Sequence, residues 1–325
     1  MEAVKSDMLE ILCTSVSQQL NMTVYAARGV TLGLTLVLLS YNFKLHLMNS
    51  EEGCAPNRPF VVQRRDTDET QHSGKSPRLL CWILTQPKHL KNRTASVKET
   101  WGRECDITLF FSSLNDSTFP TIGLGFEEKR RNLIKKTMGA LRYIFKNYLH
   151  RADWFLKADD DTYVVVDNLR HFLKDKDPDE HVYYGSKFRL EDFTYHSGGA
   201  GYVMSRKMIR NIALHSKGTQ ECEETGPEDV RMGMCVKALG GVTGNSTDNN
   251  NLEVFHWSSA DYFIRGQTDT TPSWVRLRQP FWKSNNKLSE VSVSFHYMMQ
   301  GDMRALHYLL NNLNVHGYHK PGTSR

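Results

Sequence analysis

The sequence lacks a strong excess of charge of either sign. Its 325 residues carry 41 Lys and Arg against 36 Asp and Glu, so the formal net charge is +5. This excess is too small and too evenly spread to indicate a nucleic-acid-binding protein. The hydrophobic fraction of 39% and the charged fraction of 24% also differ from the polar composition of disordered chains. We therefore expect a packed globular core.

Several catalytic motifs are absent as well. The sequence contains no serine nucleophile elbow, no phosphate-binding lysine loop and no cysteine set spaced for zinc. These absences argue against hydrolase and nucleoside triphosphatase functions. The sequence also has no internal repeat, so a repeat architecture is not expected.

Long apolar runs are scarce, and the first lies near the N-terminus at residues 29–43. It reaches membrane-spanning length when flanking residues are included, which predicts an uncleaved signal-anchor helix at 29–48. A buried core helix is the alternative. Residues 49–77 are mostly polar and contain several helix breakers, as in a solvated stem. The predicted organisation is a cytoplasmic tail at 1–28, the anchor, the stem and a lumenal domain at 78–325.

Patterns for N-linked glycosylation lie mostly after the apolar run. One precedes it at Asn21, and three follow it at Asn92, Asn115 and Asn245. Each pattern is weak evidence by itself. Their distribution agrees with a lumenal C-terminal part.

The cysteines also favour an oxidising compartment. Cys81 and Cys105 bracket one short segment and Cys222 and Cys235 bracket another, which favours two local disulfides over a metal cluster. Cys54 lies in the stem without a partner. It could link two chains into a homodimer.

The lumenal part alternates strand-like and helix-like segments. Apolar runs predict strands, and apolar residues at three- and four-residue steps predict helices. The predicted strands are 79–84, 107–111, 154–158, 163–166, 181–184 and 202–205. The predicted helices are 88–101, 130–148, a helix capped by Asp167 and ended by Asp177-Pro178, and 228–239. This alternation predicts an α/β fold with a mostly parallel, doubly wound sheet whose ligands gather at the carboxyl ends of the strands.

Three consecutive aspartates stand at the end of an apolar strand. If the backbone stays extended there, Asp159 and Asp161 share a face and can hold one divalent ion, while Asp160 points elsewhere. Oxygen ligands suit Mg²⁺ or Mn²⁺, and an added imidazole favours Mn²⁺. The candidate imidazole is His296, on the polar face of an alternating segment near the C-terminus. A solvated acidic turn is the alternative interpretation.

Glu228 and Asp229 follow Gly226-Pro227 and open a predicted helix, at the positive end of its dipole. Helix capping explains these acids, whereas a functional interpretation makes one of them a general base. The glycine-rich segment 196–201 precedes a strand, and its glycines permit close backbone approach to a ligand.

These motifs resemble, in this order, the animal core 1 beta-1,3-galactosyltransferase family, over residues 78 to about 319. The strongest stretches are LCWILTQP at 80–87, VKETW at 97–101, ADWFLKADDDTY at 152–163, SGGAGYV at 197–203, ED at 228–229 and VSFHY at 293–297. The resemblance implies a nucleotide-sugar transferase fold of the GT-A type with a Rossmann-like sheet. It also implies a UDP-galactose donor, a glycoprotein acceptor bearing O-linked N-acetylgalactosamine, and a single-pass type II protein of the Golgi membrane.

The resemblance further implies roles for individual residues. Asp159, Asp161 and His296 would hold Mn²⁺, and Asp229 would be the catalytic base. Donor-binding roles fall on Thr85, Glu128, Arg130, Lys136 and Asp159, and acceptor-binding roles fall on Tyr202 and Trp282. The implied disulfides are Cys81 with Cys105 and Cys222 with Cys235. From the residues alone, a solvated helix face explains Glu128, Arg130 and Lys136 equally well, and core packing explains Trp282 equally well.

The sequence departs from the family pattern after Phe281-Trp282. Family members usually carry a longer aromatic-rich segment and two adjacent cysteines there, whereas this chain continues as KSNNKLSE. Position 86, commonly Gly in relatives, is Gln. The altered segment leaves open a sibling beta-1,3-glycosyltransferase with another donor or acceptor. A non-catalytic, chaperone-like relative is a further alternative, although the aspartate triplet argues against it.

Overall fold

The computed structural model describes residues 76–265 and 288–314. These residues belong to the compact unit Ser73–Arg325. The predicted anchor at 29–48, nearly all of the stem, Cys54 and Trp282 lie outside the described residues. Within the described part of the chain, none of the helices combines the length and apolar character required to cross a membrane.

Apolar runs form the strands, and amphipathic segments form most of the helices. The strands are β1 (Leu79–Leu84), β2 (Ile107–Ser112), β3 (Thr121–Gly123), β4 (Trp154–Asp159), β5 (Tyr163–Val164), β6 (Val182–Gly185), β7 (Lys187–Leu190), β8 (Phe193–His196), β9 (Tyr202–Ser205), β10 (Val242–Thr243), β11 (Phe255–His256) and β12 (Ser294–Phe295). The α-helices are α1 (Ala95–Glu99), α2 (Leu133–Tyr148), α3 (Val166–Leu173), α4 (Arg206–His215), α5 (Glu228–Ala238), α6 (Ala260–Ile264) and α7 (Gln300–Asn311).

The central sheet has seven strands in the order β10-β6-β9-β4-β1-β2-β3. Strand β9 runs antiparallel to both β4 and β6, and the remaining neighbours are parallel. This arrangement confirms the predicted α/β fold with a mostly parallel sheet. Leu84 pairs with Asp159 in the register of β1 and β4. The segments that leave these two strands therefore start side by side.

The core lies on both faces of the sheet, as expected for buried parallel strands. Every residue of β1 is buried, and its side chains alternate between two hydrophobic clusters. Trp82 packs in the cluster that includes α2, whereas Ile83 packs in the cluster on the other face. Both side chains are fully buried. Burial of such a side chain contributes about 1.5–3 kcal/mol, which fixes the strand ends that carry the polar residues.

Two predicted helices differ from the structure. The continuous helix expected at 88–101 is instead a 3₁₀ turn (Pro87–His89), a π turn (Leu90–Thr94) and α1. The Ser96 hydroxyl donates to the Asn92 carbonyl, a local side-chain bond that often accompanies bending of a helix. Asp167 lies within the first turn of α3 and does not cap it, because β5 ends earlier than predicted and the cap position falls on Val165.

Candidate metal and catalytic site

The aspartate triplet begins at the last residue of β4 and continues into a tight turn. The backbone N–H of Thr162 donates to the carbonyl of Asp159 at 3.1 Å, so the backbone does not stay extended through the triplet. The turn nevertheless separates the carboxylates as predicted. Asp160 faces the segment after β1, where its Oδ2 accepts a hydrogen bond from Thr85 Oγ1 at 2.8 Å, and Asp159 and Asp161 face His296.

Strand pairing brings His296 to the triplet from far along the chain. Strand β12 runs antiparallel to β5, with Phe295 opposite Tyr163. The residue that follows β12 therefore meets the turn that precedes β5, and Met298 N–H donates to the Asp161 carbonyl at 2.9 Å. Ligand atoms of Asp159, Asp161 and His296 lie within 4.8 Å of one another.

The imidazole ring of His296 is oriented by its surroundings. Its Nδ1 lies 3.3 Å from the Trp257 carbonyl oxygen. Because a carbonyl only accepts, Nδ1 carries a proton in this contact, which leaves Nε2 as the nitrogen that would bind a cation. Nε2 lies 3.4 Å from Asp161 Oδ1. The ring also lies against Gly199, where an added Cβ would stand 2.1 Å from His296 Cε1.

This donor set fits a divalent cation. Two carboxylates and one imidazole offer oxygen and nitrogen ligands that suit Mg²⁺, Mn²⁺ and related ions. Their atoms are already gathered, and the Nδ1 contact of His296 is the kind of outer-shell bond that orients a metal ligand. A bound cation would also offset the repulsion between the two neighbouring carboxylates.

The charges around the triplet act differently on its members. Burial acts to raise the pKa of Asp161, but the hydrogen bond and charge of His296 and the charge of Arg93 outweigh it, so that pKa lies below its usual range. Burial raises the pKa of Asp160 despite the opposing hydrogen bonds from Thr85 and His89. Asp161 is therefore favoured as an anion, as a metal ligand must be.

Lys157 is a buried cation beneath the site. Its Nζ donates to Asp159 Oδ1 at 2.6 Å and to the Gly198 carbonyl at 2.9 Å, and it lies 3.9 Å from Glu228 Oε2. Burial acts to lower the pKa of Lys157, but Asp159 and Glu228 outweigh it, so that pKa is raised. The lysine therefore ties the end of β4 to the start of α5.

The two acids at the start of α5 have different surroundings. Glu228 is buried, and its Oε1 accepts hydrogen bonds from Tyr202 at 2.6 Å and Thr137 at 3.0 Å. Asp229 is partly exposed, and its Oδ2 accepts a long 3.5 Å bond from the Gly198 N–H. Of the pair, Asp229 is the acid with solvent access, whereas Glu228 binds Tyr202 of β9 and Thr137 of α2.

The predicted donor-binding residues fall into two groups. Thr85, Glu128 and Lys136 form one network, in which Lys136 Nζ donates to the Thr85 carbonyl at 2.6 Å and to both Glu128 oxygens at 3.0 and 2.7 Å. These bonds use all three ammonium protons. Lys136 is therefore buried and held between Thr85 and Glu128. Arg130 is exposed, and its charge opposes the rise in the pKa of Tyr297, which burial and Asp161 cause.

The acceptor and disulfide predictions have different outcomes. Tyr202 is fully buried, and its hydroxyl donates to Glu228, so the expectation that it contacts an acceptor is corrected: it supports an acid of the site. Trp282 lies outside the described residues.

Both predicted disulfides are formed, Cys81 with Cys105 and Cys222 with Cys235.

A family model described as Fringe-like matches residues 76–311. The chain belongs to the Fringe-like family. A Xenopus laevis relative named glycoprotein-N-acetylgalactosamine 3-beta-galactosyltransferase 1 is 38% identical over 259 residues, which cover 78% of this chain and 71% of the relative. The resemblance stated from the sequence motifs is therefore confirmed.

More distant relatives of this Fringe-like protein match smaller parts of it. A Mus musculus beta-1,3-glucosyltransferase is 27% identical over 51% of the chain, and the match spans 34% of that relative. Mouse chondroitin sulfate synthase 3 is 28% identical over 52% of the chain and 22% of its own length. Among solved structures, the galactosyltransferase LgtC with donor and acceptor sugar analogs is 14% identical, with a TM-score of 0.39, over 72% of this chain and 97% of that one.

Two cations of the candidate site were not predicted from the sequence. Lys157 lies two residues before Asp159 on β4, so the alternation of strand side chains could have placed both on one face. Arg93, whose guanidinium lies 3.1 Å from Asp161 Oδ2, left no comparable signal. The contact between Arg93 and Asp161 depends on the 3₁₀ turn and the π turn that replace the predicted continuous helix after β1.

Gly199→Ala is expected to lower the affinity of the site for a divalent cation by about tenfold to a hundredfold, the usual cost of disturbing the shell that orients a metal ligand. The reason is that the new methyl group would overlap the His296 ring. Titration calorimetry with Mn²⁺ measures the change. Gly301→Ala is the matched control, because the added Cβ meets nothing within 4 Å. Equal Mn²⁺ affinities in the two variants would contradict the placement of His296.

Proposed function

We propose that this protein is an inverting glycosyltransferase of the GT-A type. It moves galactose from UDP-galactose to the 3-hydroxyl of O-linked N-acetylgalactosamine on glycoproteins. The extent of identity to the Xenopus galactosyltransferase supports this activity. The observation that carries it is the convergence of Asp159, Asp161 and His296, since this cluster fits a cation that would hold a diphosphate.

The proposed cofactor is Mn²⁺, held by Asp159, Asp161 and His296. Among divalent ions, this mixed set of carboxylates and imidazole favours Mn²⁺ over Mg²⁺. When bound, the cation supplies positive charge that stabilises UDP as it departs. Lys157 holds Asp159 from below, and the Trp257 carbonyl fixes the tautomer of His296.

Asp229 is the proposed base of the transfer. Its carboxylate takes the proton of the acceptor 3-hydroxyl while that oxygen attacks the anomeric carbon of galactose. The new C–O bond forms as the bond to the phosphate oxygen breaks, and UDP leaves with the electron pair. A single in-line displacement of this kind inverts the anomeric configuration. Gly198 and Val230 N–H groups contact the two carboxylate oxygens and position them.

The proposed location is the Golgi membrane, with the catalytic domain lumenal and the anchor at 29–48. The two disulfides support an oxidising compartment. Through Cys54, the stem could join two copies into a homodimer. No nucleic acid partner is proposed, given the small net charge.

The purified full-length chain is expected to convert UDP-galactose and an N-acetylgalactosamine peptide to a beta-1,3-linked disaccharide product. Chelation should abolish the activity, and added Mn²⁺ should restore it. Product linkage can be assigned by NMR. Turnover of another UDP-sugar or acceptor in place of this pair would favour a sibling transferase. No turnover with any donor would favour the non-catalytic alternative.

A further inference from the structure

Arg93 stands directly over the aspartate triplet. It lies in the π turn Leu90–Thr94 that follows β1, and the register of β1 and β4 brings the two departing segments together. Its Nη1 lies 3.1 Å from Asp161 Oδ2 and 3.7 Å from Asp160 Oδ1. One guanidinium therefore contacts two of the three aspartates.

Asp161 is consequently shared between two partners. Its Oδ1 faces His296 Nε2 at 3.4 Å, on the side where the metal ligands converge, and its Oδ2 faces Arg93. A cation arriving between Asp159 and His296 would bring a second positive charge to the carboxylate that Arg93 already holds.

Arg93 is more exposed and less tightly held in the site than Lys157. The Lys157 side chain is 3% exposed and is bonded to both Asp159 and a backbone carbonyl, so it is a fixed part of the site. The Arg93 side chain is 35% exposed. Among the described residues, the side chain to which the Arg93 guanidinium donates a hydrogen bond is Asp161. A guanidinium also has a planar fork of donors that matches two phosphate oxygens.

We propose that Arg93 forms ion pairs with Asp160 and Asp161 in the metal-free protein and moves to bind the donor diphosphate when a divalent cation binds. The proposal rests on the proposed function. The exchange keeps the charge of the site balanced, because the cation replaces Arg93 at Asp161 while the incoming phosphates supply a new anionic partner. Arg93 would thereby oppose cation binding without donor and favour donor binding with the cation present.

The test compares Arg93→Gln with the wild-type full-length chain by titration calorimetry. With Mn²⁺ alone, the variant is expected to bind about threefold to fivefold more tightly, the size expected for loss of one partly exposed competing ion pair. At saturating Mn²⁺, its affinity for UDP is expected to fall about tenfold, as for loss of a charge-assisted hydrogen bond. These opposite signs are not expected from a general loss of structure.

Lys91→Gln is the matched control. It removes one positive charge from the same turn, and Lys91 is exposed. Both of its affinities should equal the wild-type values. Arg93→Lys keeps the charge without the fork, so it should restore wild-type Mn²⁺ affinity while UDP affinity stays reduced.

Three results would overturn the role of Arg93. They are Mn²⁺ binding by Arg93→Gln that is unchanged or weaker, UDP binding that is unchanged, and the same changes in Lys91→Gln. Failure of the proposed function looks different, because a wild-type chain that binds Mn²⁺ and UDP but transfers no galactose would leave the exchange intact. A wild-type chain that binds no Mn²⁺ would remove both.

Discussion

Asp161→Asn is expected to lose Mn²⁺ binding and to transfer galactose more than about a hundredfold more slowly than the wild type, since even outer-shell changes at metal sites cost tenfold to a hundredfold. The amide removes an anionic ligand from a set of three whose atoms lie within 4.8 Å of one another. Calorimetry with Mn²⁺ and a radiolabelled galactose transfer assay measure the two effects.

Asp160→Asn is the matched control for this change. It alters the same functional group one position earlier, but Asp160 faces Thr85 and His89 and not His296. This variant should still bind Mn²⁺, and its main effect should be on stability. Loss of Mn²⁺ binding in Asp160→Asn together with retention in Asp161→Asn would contradict the assignment of the triplet.

Asp229→Asn is expected to lower kcat by about a hundredfold to ten-thousandfold, the usual contribution of a general base. Binding of UDP and Mn²⁺ should be unchanged, because Asp229 is not among the gathered ligands. Steady-state kinetics give kcat, and calorimetry gives the two affinities.

Asp302→Asn serves as the control for Asp229→Asn. Asp302 also lies in the first turn of a helix, α7, and is exposed. Its loss should cost only about 0.3–1 kcal/mol of helix stability and leave kcat unchanged. A wild-type kcat in Asp229→Asn would remove the base assignment, whereas reduced UDP binding would indicate a structural role.

The architecture follows largely from local sequence patterns. Strand β1 has the predicted bounds, and α2 lies within the predicted helix, because a continuous apolar run and a regular apolar stripe each have a distinct period. The hairpin of β7 and β8 was not predicted, nor were α4 and α7. The segment after β1 shows why predicted helix bounds can differ from the structure. Side-chain hydrogen bonds such as that of Ser96 compete there with the regular backbone hydrogen bonds of a helix.

The site could be predicted only in part from the sequence. The triplet is a local signal, and the family resemblance pointed to His296, but the contact itself depends on pairing between β5 and β12. Composition and spacing carry no information on that pairing. Lys136 and Tyr202 were assigned to substrates, whereas the fold buries them against Glu128 and Glu228. Burial of a polar side chain against a distant partner is a tertiary outcome that linear spacing does not reveal.

One divalent cation is expected to bind between Asp159, Asp161 and His296. Anomalous diffraction at the manganese edge, from crystals of the protein with Mn²⁺ and UDP, tests it most directly. We expect one manganese peak within coordination distance of both carboxylates and of His296 Nε2, with the UDP diphosphate on its open side. A peak held by other residues, or no peak in crystals that contain bound UDP, would contradict it.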